Sequence, residues 1–222
     1  MPTLKTQALP RGSVHPPAPR LRHALLAPLI EHWRAYLAMN AGFYGLVFLG
    51  MLAAWRNPSL QVRLVDSVRA ASQQGFLSAV ADAYRQHHVF WAIILTFLIN
   101  LVIGSVLQLH MPSMIVPFLG LLFAGLRAAC WGVLFSPLTR FYGREIIPHY
   151  LTLLVEGQAY VLAMVAVYVQ ARWVIPGAQP RMHAYFDGLR ISVRIYKLVT
   201  IVLLVAAIYE AYEVIYLAPL LK

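Results

Sequence analysis

The chain has 222 residues, of which 60% are apolar and 12% charged, against about 45–50% and about 25% in an ordinary soluble domain. A mean hydropathy of +0.67 needs more interior than a soluble domain of this size can enclose, because such a domain must wet much of its surface. Composition thus excludes a soluble enzyme and makes lipid the main solvent. Cys130 is the single cysteine, which excludes an internal disulfide framework and a cysteine-rich metal site. The net charge of +10 would suggest nucleic acid in a soluble protein. Here only Arg127, Glu156, Glu210 and Glu213 fall inside apolar stretches, which sum to −2 and leave +12 to loops and tails. Basic loops beside apolar spans fit anionic headgroups, so anionic lipids are the expected partner and nucleic acid is not.

In chain order, residues 1–23 carry five prolines and four basic residues without an apolar run, which predicts a flexible basic tail and no signal-peptide core. Residues 24–222 read as one all-α membrane domain. Five apolar stretches can each cross a core of about 30 Å: 35–55, 89–109, 114–138, 148–171 and 198–221. Their unbroken apolar runs lack the alternation of a membrane barrel. Between the first two, Asn57-Pro58 is a helix start and Gly75 a stop. The 58–84 region therefore reads as an amphipathic helix with Leu60, Leu64, Val68 and Ala71 on one face, followed by a short second piece. A second amphipathic segment, 184–197, sets Arg190, Arg194 and Lys197 in one basic stripe facing the headgroups. With five spans, ten Lys+Arg lie on the amino-terminal side and seven on the other, which puts the N-terminus in the cytoplasm.

Ionisable side chains at mid-bilayer cost on the order of 2.5–3.5 kcal/mol even on the lenient scale, so they turn inward. Glu156 shares a face with Ala159, Ala163 and Ala166, Arg127 is flanked by Gly120, Ala124 and Ala128, and Thr96, Asn100 and Gly104 repeat at four-residue spacing. Small residues allow close helix approach. The expected assembly is a buried polar centre of Arg127, Glu156, Glu210, Glu213 and Asn100. Arg127 pairs with Glu156 or Glu210 there, and Asn100 donates to the remaining carboxylate. Such a contact reads first as a device that fixes helix register. His149, two turns before Glu156, reads as a satisfied interfacial group. His87-His88 and His110 sit at opposite ends of one span and cannot share a metal. No catalytic constellation is evident: no Ser or Cys has a base at motif spacing, and no HExxH accompanies Glu210 and Glu213. No enzyme activity, metal or cofactor is therefore expected. Tyr209, Tyr212 and Tyr216 form a stripe that suits a partner helix or an interfacial belt.

The last span, LLVAAIYEAYEVIYLAP, resembles the final membrane segment of the stage II sporulation protein M family. IIPHYLTLLVEGQAYVLAM is similar to that family's Pro-His entry followed by a glutamate and an alanine-rich helix. FLINLVIGSVLQL and VPFLGLLFAGLRAACWG are similar to its asparagine–glycine and Pro-Phe-Leu stretches. The likeness covers roughly residues 89–219. It departs where Tyr150, rather than glycine, follows His149 and where Glu156 stands seven positions on. The resemblance implies a bacterial or archaeal cytoplasmic-membrane protein without catalytic activity, with Glu156 and Glu210 as the matching carboxylates and a recruiting role toward other membrane proteins. The leading expectation is a non-enzymatic scaffold or structural subunit of a membrane protein complex. The alternatives are a transporter or channel subunit with a polar centre, or an accessory subunit of a larger energy-converting complex.

Overall fold

The computed structural model describes residues 21–139, 141–174 and 181–221, and all regular structure among them is helical. Helix α1 (Leu21–Glu31) is followed by α2 (Trp33–Arg56), α3 (Pro58–Ala71) and α4 (Gly75–Arg85). Helix α5 (Val89–Ile115) is continuous but opens into wide π-type turns over Ile99–His110. Helices α6 (Leu119–Leu134) and α7 (His149–Ala171) come next. Helix α8 (Arg181–Tyr212) continues in wide turns over Glu213–Leu217 and a tight one over Ala218–Leu221.

Among the described residues, four helices are long and apolar enough to cross a membrane: Trp33–Arg56, Val89–Ile115, Arg144–Ala171 and Met182–Leu221. The protein is therefore read as multi-pass. The stretch expected as one span over 114–138 is divided. Its first residues close α5, Phe118 takes a left-handed φ of +68°, and α6 begins only at Leu119. Its 16 residues rise about 24 Å, short of a hydrocarbon core of about 30 Å. Two other boundaries move. Residues 21–23, expected in the tail, begin α1, and the rest of that tail lies outside the described residues. The basic segment 184–197 and the last span form one unbroken helix, because no proline or glycine stop separates them. The 58–84 region is a helix followed by a second, shorter one, as expected, with Gly75 at φ +57° where the second begins.

Helix α7 is the hub, with Ala159, Ala163 and Ala166 fully enclosed. This is the expected small-residue face, and it lets α8 approach through Ile195, Val199 and Leu203. Gly120, Ala124 and Ala128 of α6 are likewise buried. Leu49, Leu122, Leu126 and Ile201 point outward and are more than half exposed, as a lipid-facing surface requires. On α3 the buried position is not the predicted apolar face but Gln61. Its amide donates to Leu134 O at 2.8 Å and accepts from the Thr139 hydroxyl, which ties α3 to the end of α6. Val68, on the predicted face, is about half exposed.

The α2–α6 crossing depends on two glycines. A Cβ on Gly50 would stand 3.0 Å from Gly132 Cα, and one on Gly132 would run into the Val47 backbone. Neither neighbour is a side-chain tip that can swing away, so overpacking of about 1–3 kcal/mol is expected. Gly132→Val should lower the thermal unfolding midpoint of the detergent-solubilised protein, whereas Gly45→Ala, with open space around it, should leave it within measurement error.

Candidate functional site: a polar cavity among the helices

Around mid-chain the inward faces of α5, α6, α7 and α8 fail to close on one another, and α4 lies across the gap. The resulting cavity of about 240 Å³ is lined by Leu77 and Val80 of α4, and by Thr96 and Asn100 of α5. Arg127 and Trp131 of α6, Phe135 just past the end of α6, His149 and Glu156 of α7, and Glu210 of α8 line it as well. Four of the five residues expected to form a polar centre therefore converge in one place: Arg127, Asn100 and Glu156 together with Glu210. Glu213 lies behind His149, 2% exposed.

The contacts within this centre differ from the expected ones. Arg127 Nη1 donates to the Tyr160 hydroxyl at 2.7 Å, and Nη2 donates to Gln108 Oε1. The guanidinium also lies 4.5 Å from the Tyr160 ring centroid, in cation–π range. Tyr160 in turn donates to Asn100 Oδ1 at 3.1 Å. Among the described residues no ion pair includes Arg127. The expected pairing with Glu156 or Glu210 is replaced by neutral partners, and Asn100 accepts from a tyrosine instead of donating to a carboxylate. The physical reason is local. Wide turns over Ile99–His110 carry Gln108 round to the same side as Asn100. Gly104, where a Cβ would collide with the Tyr160 hydroxyl, leaves room for that ring. Both terminal nitrogens of the arginine are thus satisfied before any carboxylate reaches them.

The second cluster was not anticipated. His149 is only 15% exposed, and its Nδ1 lies 3.0 Å from Glu213 Oε2. The Thr152 hydroxyl donates to the same oxygen at 2.9 Å, and the Phe135 ring packs on the imidazole at 4.7 Å between centroids. The histidine read as an interfacial group is largely buried because α6 ends at Leu134 and the Phe135 ring that follows packs on the imidazole. No trio of His, Cys, Asp or Glu suited to a metal occurs among the described residues.

The tyrosine stripe divides. The Tyr209 hydroxyl donates to Pro148 O at 3.3 Å and the side chain is partly buried, while Tyr212 and Tyr216 are about half exposed with rings 5.8 Å apart. The basic stripe stays together on the surface, with Arg190, Arg194 and Lys197 all exposed. Arg190 lies 3.6 Å from Asp187. Tyr160 and Gln108 were missed by sequence reasoning, yet both had a signal. Gln108 continues the four-residue series Thr96, Asn100, Gly104, and Tyr160 is one turn beyond Glu156.

The lining combines one permanent cation, whose charge is held by neutral dipoles, with carboxylates and hydroxyl and amide oxygens. Trp131 and Phe135 supply aromatic walls. Chemically, it can hold a small polar or charged species away from lipid. The chain matches no family model, no curated protein and no solved structure.

A double-mutant cycle separates the two arrangements. Arg127→Met and Tyr160→Phe should couple by about 1.5–3 kcal/mol in reversible unfolding, the range for a hydrogen bond to a charged group. Arg127→Met and Glu156→Gln should couple less.

Proposed function

We propose that the protein is a transporter or channel subunit of the bacterial or archaeal cytoplasmic membrane, and that it takes up a proton or a small polar cation in the cavity. The observation that carries this reading is the cavity itself: Glu156 is 7% exposed, and it shares with Glu210 a space that no described cation closes by ion pairing. A void with charged walls costs stability, and function is the natural reason to keep one. Intramembrane ionisable groups around a cavity are the usual mark of an ion or solute path. Wide π-type turns begin at Ile99, beside Asn100, and at Glu213, and such turns recur at functional sites.

Five crossings, with the short α6 as the third, an N-terminus in the cytoplasm and α3–α4 near the headgroups complete this reading. Kinship with the stage II sporulation protein M family is part of it, supported by the quoted motifs alone. A second reading, a recruiting or structural subunit of a membrane complex, draws on a different observation. Tyr212 and Tyr216 form an exposed aromatic pair on α8, a surface that suits a neighbouring helix.

The purified chain reconstituted into liposomes containing a pH-sensitive dye should dissipate an imposed proton gradient, or a monovalent-cation gradient, faster than protein-free liposomes. Glu156→Gln and Glu210→Gln should each slow this at least about tenfold, the effect of losing one charged contact of about 1.4 kcal/mol. Leakage equal to that of protein-free liposomes with every ion tried would overturn the reading.

A further inference from the structure

The imidazole of His149 stands between a buried carboxylate and the cavity. On one side its Nδ1 lies 3.0 Å from Glu213 Oε2, and the Thr152 hydroxyl donates to that same oxygen at 2.9 Å. Glu213 and Thr152 do not line the cavity, whereas His149 does, together with Glu156 and Glu210. The Phe135 ring packs on the imidazole, and Tyr209 of α8 donates to the carbonyl of the preceding residue, Pro148. The ring is thus held with one nitrogen engaged. Nε2 has no hydrogen-bond partner among the described residues, and it is not sealed from solvent as the unpartnered Arg127 Nε is. The open space that the ring borders is the cavity.

This arrangement decides which nitrogen can take up a proton. An ionised carboxylate accepts and cannot donate, so Glu213 requires the hydrogen of the neutral imidazole to sit on Nδ1. The hydrogen bond at one ring nitrogen sets the state of the other, and Nε2 is left bare with its lone pair available. Hard cations take oxygen ligands, and no trio of His, Cys, Asp or Glu suited to a metal occurs among the described residues. A bare imidazole nitrogen beside carboxylates suits a proton.

We propose that the species taken up in the cavity is the proton, and that His149 accepts it at Nε2, with Glu213 as the residue that keeps Nε2 bare and orients it. This rests on the cavity reading above and narrows its cargo. The step needs no further reactant. A hydronium ion, or the acid form of Glu156 or Glu210, gives up a proton and one N–H bond forms at Nε2. The ring becomes an imidazolium beside the Glu213 carboxylate, and release breaks the same bond. The groups around the imidazole are Glu213 and Tyr209 of α8 and its continuation, and Glu210, Glu156 and Arg127 on the shared cavity. Helix α5 contributes the neutral Thr96 and Asn100, and Tyr84 of α4 is bonded to that threonine. Three carboxyl groups against one guanidinium can offset an imidazolium charge. Glu213 is a positioning residue here, since it acts through the imidazole.

The test is solid-state nitrogen NMR on the full chain in lipid bilayers, with isotope-labelled histidine rings. The signals of His149 are those that vanish in His149→Gln. At pH 8 His149 should carry hydrogen on Nδ1 with Nε2 bare, and at pH 5 on both nitrogens. Glu213→Leu removes the acceptor and should let hydrogen appear on Nε2 at pH 8, whereas Glu213→Gln keeps an acceptor oxygen and should preserve the parent tautomer. Hydrogen on Nε2 in the parent at pH 8, a bare Nε2 at pH 5, or an unchanged tautomer in folded Glu213→Leu overturns the proposal. The parent spectrum is sufficient should Glu213→Leu fold poorly. In liposomes His149→Gln should slow proton flux about a hundredfold after the protein-free rate is subtracted, the lower end for a positioned proton-transfer group, and sodium and potassium gradients should decay at the protein-free rate. Sodium or potassium flux equal to proton flux, or undiminished proton flux in the folded variant, overturns this proposal and leaves the cavity reading standing. A parent that passes no ion overturns the cavity reading, and the spectra then test proton uptake at His149 separately.

Discussion

A guanidinium cannot lose its charge in a protein, and hydrocarbon will not solvate it, so the placement of Arg127 constrains everything around it. The chain meets that constraint with dipoles: the Gln108 amide oxygen, the Tyr160 hydroxyl oxygen and the face of the Tyr160 ring. Each of these imposes a further requirement. Gln108 has to come round on widened turns, Tyr160 needs the missing side chain of Gly104, and Asn100 has to turn its carbonyl oxygen toward the phenol. Tyr160 of α7 then meets the arginine of α6 directly.

This solution leaves the carboxylates without the arginine. Glu213 finds His149 and Thr152. Glu156 and Glu210 line a cavity covered by a short amphipathic helix. The difference between a shut Arg–Glu contact and this arrangement is the difference between a structural staple and a place where charge can change. That difference is why we propose a proton or cation path and not a purely structural role.

Much of the framework was legible in the sequence. An α-helix repeats its faces every three to four residues, so the positions of Ala159, Ala163 and Ala166, or of Gly120, Ala124 and Ala128, identify buried faces before any coordinates exist. The inward turn of Arg127 and Glu156 was legible for the same reason, together with the cost of facing lipid. The partner of each charged group was not, because periodicity along one helix does not tell which neighbour a face meets. His149 shows the limit most clearly. Its neighbours in sequence place it at a membrane edge, and only the early end of α6, where Phe135 folds over the imidazole, puts it inside. The two-helix form of 58–84 could be read from Gly75, but nothing in its pattern says that α4 covers a cavity.

The central claim is that the inner face of α7 borders a polar space while the adjacent residue faces lipid. Leu153 lines the cavity, and Leu154, the next residue, is 52% exposed on the outside. Nitroxides placed singly at these two positions in the Cys130→Ala chain in bilayers report their surroundings by relaxation with a water-soluble nickel chelate and with oxygen, which concentrates in lipid. Nickel should dominate at position 153 and oxygen at position 154. Equal oxygen dominance at both positions would mean that the helix is lipid-embedded or dry on both sides, and would contradict it.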